Sequence, residues 1–192
     1  MSNLRFRKME TLILNENETD KAAEIIKNGG IVGIPTETVY GLAASAFDPA
    51  AIKKIFLAKG RPADNPLIVH ISKTKDVFKV VSKFNKNAEI LAKNFWPGPL
   101  TMILPKNSQI PSIVTAGADS VAVRFPSHSV ARKIIESSGV PLVAPSANLS
   151  GKPSTTRFSH VLEDLNGKVD ALVDGGDCKF GEIGRASCRE RV

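Results

Sequence analysis

Residues 19–42, TDKAAEIIKNGGIVGIPTETVYGL, decide the fold class. Thr19 and Asp20 precede the run from Lys21 to Lys27, and Asn28-Gly29-Gly30 follow it, a pattern that predicts a capped short helix ended by glycine. Residues 31–34 are then an apolar run stopped by Pro35, the mark of a buried strand. The alternation continues outward. Residues 49–58 open with a proline suited to a first helical turn, and Gly60 follows them. Residues 67–71 read as a strand, 75–82 and 87–95 as lysine-rich helices, and 96–99 (WPGP) as a turn. Val77, Phe78, Val81, Ile90 and Leu91 form the expected core-facing stripe of those two helices. Ser72 is expected to cap the first of them. Strands at 100–104, 121–125, 142–144 and 171–173 enclose a helix capped by Ser127 and closed by Gly139, and a helix at 158–165. Strands alternating with helices predict one α/β domain without an internal boundary over residues 1–183.

The 192 residues are 42% hydrophobic and 23% charged, an ordinary globular mix that excludes collagen-like, coiled-coil and disordered classes. No apolar stretch approaches the roughly 20 residues of a membrane span, and the N-terminal residues lack the apolar core of a secretory signal, so a cytoplasmic protein with no membrane partner is expected. The net charge of +7 suits an anionic partner such as a nucleotide or RNA, although charge alone equally describes a solvated surface. Cys178 and Cys188 form neither a metal ladder nor a disulfide framework, and His70, His128 and His160 lack ligand spacing, so no protein-held metal is expected.

The P-loop, the dinucleotide fingerprint and the nucleophile elbow are all absent. What remains is a set of polar residues at the ends of apolar runs, where an α/β sheet places its binding loops. Thr36, Glu37 and Thr38 follow the first strand with hydroxyls and a carboxylate able to orient a small polar substrate or a metal-bound phosphate, or to build a hydrogen-bonded turn. Lys59 and Arg61 flank Gly60, so two cations can converge on one anion or simply complement a helix terminus. Arg124 ends a strand in apolar company and calls for a carboxylate from the protein or a substrate. Ser146 and Asn148 stand two apart in a small-residue segment that also suits a turn.

In order, PTETVYGL, KGRPxxNPLxxH, WPGPLT, VAVRFP, PSANxSGxPS and DGG resemble the YrdC-like family of L-threonylcarbamoyladenylate synthases, from about Glu18 to Gly181. The resemblance implies a twisted mixed α/β sheet flanked by helices around a large basic cleft, a fold related to that of dihydroxybutanone phosphate synthase. It implies a nucleotidyltransferase that forms L-threonylcarbamoyl-AMP and pyrophosphate from L-threonine, bicarbonate and ATP, for modification of adenosine 37 in tRNA. Lys59, Arg61, Ser146 and Asn148 match the catalytic set that handles the ATP phosphates, and Asn65, Ser120 and Ser154 match further ATP contacts. Thr36, Thr38, His70, Arg124 and Ala144 match the threonine pocket, with His70 a substrate contact rather than a base. Mg²⁺ is expected with ATP, tRNA-modifying transferase machinery is expected to receive the product, and direct tRNA contact is a further implied partner.

The sequence departs from the family after Asp174-Gly175-Gly176. The family continues into an ESTVVD segment whose serine closes over threonine and then to an arginine that reaches ATP, whereas here Gly184 stands at the serine position. Residues 184–192, GRASCRERV, read as a foreign tail, so impaired activity is expected. Two other readings stand beside the synthase. One is a non-catalytic RNA-binding module in the same basic cleft, which would lack an aromatic stacking platform. The other is a carbamoyl-transfer domain of hydrogenase-maturation type, whose zinc-finger-like cysteines are missing.

Overall fold

The computed structural model describes residues 10–181. The tail 184–192, with Gly184 and Cys188, and the positions of the family's serine and arginine lie outside the described residues. Within them the order is β1 (Leu12–Asn15), α1 (Thr19–Lys27), β2 (Val32–Ile34), β3 (Gly41–Ser45), α2 (Pro49–Lys59), β4 (Ile68–His70), a 3₁₀ segment (Thr74–Lys79), α3 (Lys86–Phe95), β5 (Thr101–Pro105), α4 (Ser112–Thr115), β6 (Ser120–Arg124), α5 (Ser129–Ser138), β7 (Leu142–Val143), α6 (Phe158–Leu165) and β8 (Ala171–Asp174).

The eight strands form one mixed sheet in the order β1-β8-β2-β3-β7-β4-β6-β5. β8 runs parallel to both β1 and β2, β4 runs parallel to β6, and the other pairs are antiparallel. Side chains alternate across the strands and divide the core into two. Leu14, Val32, Ile34, Ala43, Leu142, Ala171 and Val173 pack on one face with Ala22 and Ile26 of α1 and Val130, Ala131 and Ile134 of α5. Leu42, Ala44, Val69, Val123, Val143 and Leu172 pack on the other with residues of α2, α3 and α6.

The α1/α5 layer ends beside β7. On that face β4, β6 and β5 carry His70, Arg124 and Thr101, joined in register, and further along the same face Ile103 is 74% exposed. The uncovered part of the sheet is where a ligand can reach the strands.

Several local expectations give way to tertiary structure. No strand is expected at residues 12–15 or 41–45, yet β1 finds β8 and β3 joins β2 to β7. The segment at 75–82 is a short 3₁₀ turn rather than an amphipathic helix. Val77 and Val81 are buried, but Phe78, Ile90 and Leu91 are exposed, because α3 turns its small residues Ala88 and Ala92 inward instead. Neither Thr19 nor Asp20 caps α1: the N-cap is Glu18, without a side-chain bond. Ser127 does not cap α5, whose N-cap is His128; its own N–H is turned to Glu37. Ser72 does not cap the 3₁₀ segment either; that position is Lys73.

α2 follows its local signals. Asp48 Oδ1 accepts from the N–H groups of Ala50 and Ala51 at 2.9 and 3.1 Å, and Pro49 begins the helix. Gly60 ends it at φ 60°, a left-handed conformation that glycine takes without a Cβ clash. The break sends Lys59 inward and frees the chain to carry Arg61 to the rim of the open face.

Candidate functional site

Three loops meet over that face. Ala147 N–H donates to Tyr40 O at 2.7 Å, Leu42 N–H to Pro145 O at 2.8 Å, and Tyr40 N–H to Thr155 O at 2.8 Å. The Pro35–Tyr40 loop is thereby tied to residues 145–155. Tyr40, fully buried, donates its hydroxyl to Gly176 O at 2.7 Å and accepts from Gly175 N–H at 3.1 Å. Phe180 N–H donates to Glu37 O at 2.9 Å. The segment after β8 is thus laid along the same loop, and its Phe180 and Gly181 face the opening.

The result is a cavity of about 650 Å³ lined by Thr36, Thr38, Arg61, His70, Arg124, Ala144 and Ser146 among others. Seven of the twelve residues singled out in the sequence meet there. Thr36 serves the turn as well: its Oγ1 accepts from the N–H groups of Thr38 and Val39, each at 3.2 Å, and donates to Val39 O at 2.6 Å. Arg124 is 8% exposed and Nη2 donates to Glu37 Oε1 at 2.5 Å and to Thr38 Oγ1 at 3.0 Å. The carboxylate that Arg124 called for comes, in this structure, from the protein. His70 is buried beside it and Nδ1 donates to Ile68 O at 3.2 Å, which leaves Nε2 as the acceptor. Burial first, then the Arg124 charge, push the imidazole down to about 3, so it stays neutral near pH 7.

Lys59 lies behind the cavity wall. Although it ends a helix, it is only 2% exposed, and Nζ donates to the backbone carbonyls of Ser146 and, at 2.5 Å, Asn148. The sequence offers this cation as one of two that converge on an anion or complement a helix terminus; the glycine break turns it inward, where it clamps the loop. Burial, followed by the nearby Arg61 charge, lowers its ammonium to about 8. Asn148 is likewise buried and gives its Nδ2 hydrogens to Leu149 O and Lys152 O at 2.9 and 2.8 Å. Asp164 holds the same loop from its other side, accepting from Leu149 N–H at 3.1 Å and from Lys152 Nζ at 2.6 Å.

Asn65, Ser120 and Ser154 do not line the cavity. Asn65 is exposed on the loop beyond Arg61, Ser120 begins the strand that Arg124 ends, and Ser154 lies on the loop before α6. Thr101 and Phe180 line the cavity without having been singled out, and Glu37, read in the sequence as a carboxylate that orients a substrate, stands behind the lining as the partner of Arg124. Glu37 stood in the quoted motif, and its signal was an acid beside a strand-end arginine's missing partner. Thr101 is visible only once register sets it opposite Arg124. The Cys178 thiol is pushed up to about 11 by burial, which keeps it protonated near neutral pH. Among the described residues no three His, Cys, Asp or Glu side chains cluster as a metal site, and no helix is long and apolar enough to cross a membrane.

A family model described as "Telomere recombination", Sua5/YciO/YrdC, covers residues 24–183. The chain is 50% identical over 177 residues to the threonylcarbamoyl-AMP synthase of Pyrococcus abyssi, across 89% of this chain and 52% of that protein. It is 47% identical over 185 residues to the synthase of Bacillus subtilis, across 95% of this chain and 54% of that one. The chain therefore spans about half the length of these relatives. The crystal structure of P. abyssi Sua5 complexed with L-threonine superposes with a TM-score of 0.87 at 50% identity, over 89% of this chain and 52% of the other. By the match over most of its length and by its mixed eight-stranded sheet, the chain belongs to the Sua5/YciO/YrdC family.

Proposed function

We propose that the chain carries the nucleotidyltransferase that joins L-threonine, bicarbonate and ATP into L-threonylcarbamoyl-AMP with release of pyrophosphate, the activated group for adenosine 37 of tRNA. The observation that carries this reading is a nearly buried arginine, Arg124, lining a cavity with threonine hydroxyls and a neutral histidine, in a chain 50% identical to a named synthase. A guanidinium there suits an α-carboxylate, since its flat fork offers paired donors. The unprotonated Nε2 of His70 accepts a hydrogen bond from the amino acid without acting as an acid. Thr36 and Thr38 supply hydroxyls at the same rim.

The threonine amine takes up bicarbonate as a carbamate with loss of water, and a carbamate oxygen then attacks the α-phosphorus of ATP as pyrophosphate leaves. No side-chain nucleophile is needed; positioning and charge neutralisation carry the reaction. Arg61 and Ser146 both line the cavity. Lys59 and Asn148 stand behind the wall and fix the loop that bears Ser146, and the Lys59 charge helps neutralise the ATP phosphates from there. Mg²⁺ enters as the counter-ion of ATP, held by phosphate and water. The product passes to a tRNA-modifying transferase.

The test is pyrophosphate release by the full chain supplied with ATP, bicarbonate and L-threonine. Release that requires all three is the expected result. RNA binding without such turnover overturns the reading in favour of a binding module.

A further inference from the structure

Glu37 is not part of the cavity lining. Its side chain is 3% exposed, Oε1 accepts from Arg124 Nη2, and Oε2 accepts from Ser127 N–H at 3.2 Å. Nη2 has two hydrogens and two acceptors, Glu37 Oε1 and Thr38 Oγ1. Arg124 Nε is buried without a partner. A guanidinium grips a carboxylate through two adjacent N–H groups, and each of its two forks, Nε with Nη2 or Nη1 with Nη2, includes Nη2. A carboxylate entering either fork must therefore displace one of the present acceptors. Displacing Glu37 strands a buried anion away from its counter-charge, which is far costlier than releasing a hydroxyl.

We propose that Glu37 is a positioning residue that anchors Arg124 through Nη2 and leaves Thr38 as the exchangeable partner, so that a substrate carboxylate enters the fork by replacing the Thr38 hydroxyl. The ligand half of this inference rests on the reading of Arg124 as the carboxylate contact. The anchoring half rests on geometry alone. Glu37 touches no substrate and acts only through the arginine.

Two measurements on the full chain test it separately. The first is NMR of the Arg124 guanidinium, assigned by its loss in Arg124→Lys. Hindered rotation, seen as separate Nη resonances, is expected in the parent and in Thr38→Val, and averaging is expected in Glu37→Gln. Separate resonances in Glu37→Gln, or averaging in Thr38→Val, overturn the anchor whether or not threonine binds. The second is calorimetric titration. Glu37→Gln is expected to raise the L-threonine Kd about tenfold or more, as for loss of a hydrogen bond to a charged group, with the ATP Kd within about twofold. In the Arg124→Lys background the same change is expected to alter the threonine Kd by less than about twofold, because the residue it works through is gone. Equal factors in both backgrounds, or equal rises for threonine and ATP, overturn the proposal. Where Glu37→Gln does not fold, Glu37→Asp keeps the charge and shortens its reach; a rise of about threefold confined to threonine is expected, and no rise counts against the anchor. A parent chain with hindered Arg124 that binds no threonine refutes the proposed function while leaving the anchor standing.

Discussion

Lys59→Met separates two roles that one buried cation could combine. Confining the ammonium lowers its pKa from 10.5 to about 8, which corresponds to roughly 3 kcal/mol against the charged form at neutral pH. Removing it relieves that cost but leaves the carbonyls of Ser146 and Asn148 without this donor, at about 1–3 kcal/mol each. The two effects oppose, and methionine fills much of the lysine stem's volume, so stability should change by no more than about 3 kcal/mol, a Tm shift within about 9 °C for a domain of this size. Loss of a desolvated cation at a phosphate site, by contrast, costs on the order of 10²-fold or more. ATP affinity and pyrophosphate release should fall by that factor while the threonine Kd holds. The parent should also bind ATP less well as pH rises through about 8, where Lys59 loses its proton, and the variant should not show that inflection. The stability term has the opposite sense: with a folded pKa below the unfolded one, the group disfavours folding at low pH and ceases to do so as pH climbs from about 8 toward 10.5. A variant with parental Tm and parental ATP affinity would remove Lys59 from the phosphate set, and a Tm loss beyond about 10 °C would make it a structural clamp only.

Tyr40→Phe deletes the hydroxyl that bridges Gly175 and Gly176 and should cost about 1–3 kcal/mol, read as faster amide exchange in residues 175–181 but not in β2 or β3; uniform acceleration would contradict a local tether. Gly175→Ala places a Cβ 2.5 Å from Pro35 Cγ and 2.9 Å from Pro35 Cβ, both in a rigid ring, so a loss of about 1–3 kcal/mol is expected in chemical denaturation, and an unchanged midpoint would show that the two segments can part freely. Burial alone would raise the Asp164 carboxyl, but the Lys152 ion pair and the Leu149 amide hold it below its ordinary value. Its stability contribution is therefore present above the unfolded value and lost as pH falls through the folded one, so Asp164→Asn should flatten the acid limb of a stability-against-pH curve; an identical limb would exclude the loop contact as its source.

The elements legible in the sequence are those with local punctuation. α2 has an acidic cap, a proline start and a glycine stop, and the structure uses all three. β1 and β3 escaped because nothing local marks them: LILN is short and half exposed, and GLAAS owes its extended form to two neighbouring strands. The exposed face of α3 misled for a related reason, since bulky residues suggest a core stripe while alanines allowed the closer approach. In the site, polar residues at the ends of apolar runs were the sound signal for Thr36, Thr38, Arg61, Arg124 and Ser146, while His70 and Ala144 of the same cavity were pointed to by the family resemblance alone. The sequence could not tell lining from support. Lys59 and Asn148 lie behind the wall because a glycine and a loop turn them inward, and Glu37 was indistinguishable from a solvated acid until its distance to Arg124 was known.

The seating of β8 between β1 and β2 bears on how the chain acquires its fold during synthesis. Leu12 lies opposite Ala171, and Val32 lies opposite the same residue from the other side, so β1 and β2, which leave the ribosome first, are joined only by the last described strand. Until residue 174 has emerged, a nascent chain carries two strand edges facing a gap, while β2 and β3 can already pair as a hairpin. Such long-range closure slows folding and exposes unpaired edges to other chains. A β8 donated by a second copy would satisfy the same hydrogen bonds, which makes this slot the point at which crowded nascent chains would exchange strands.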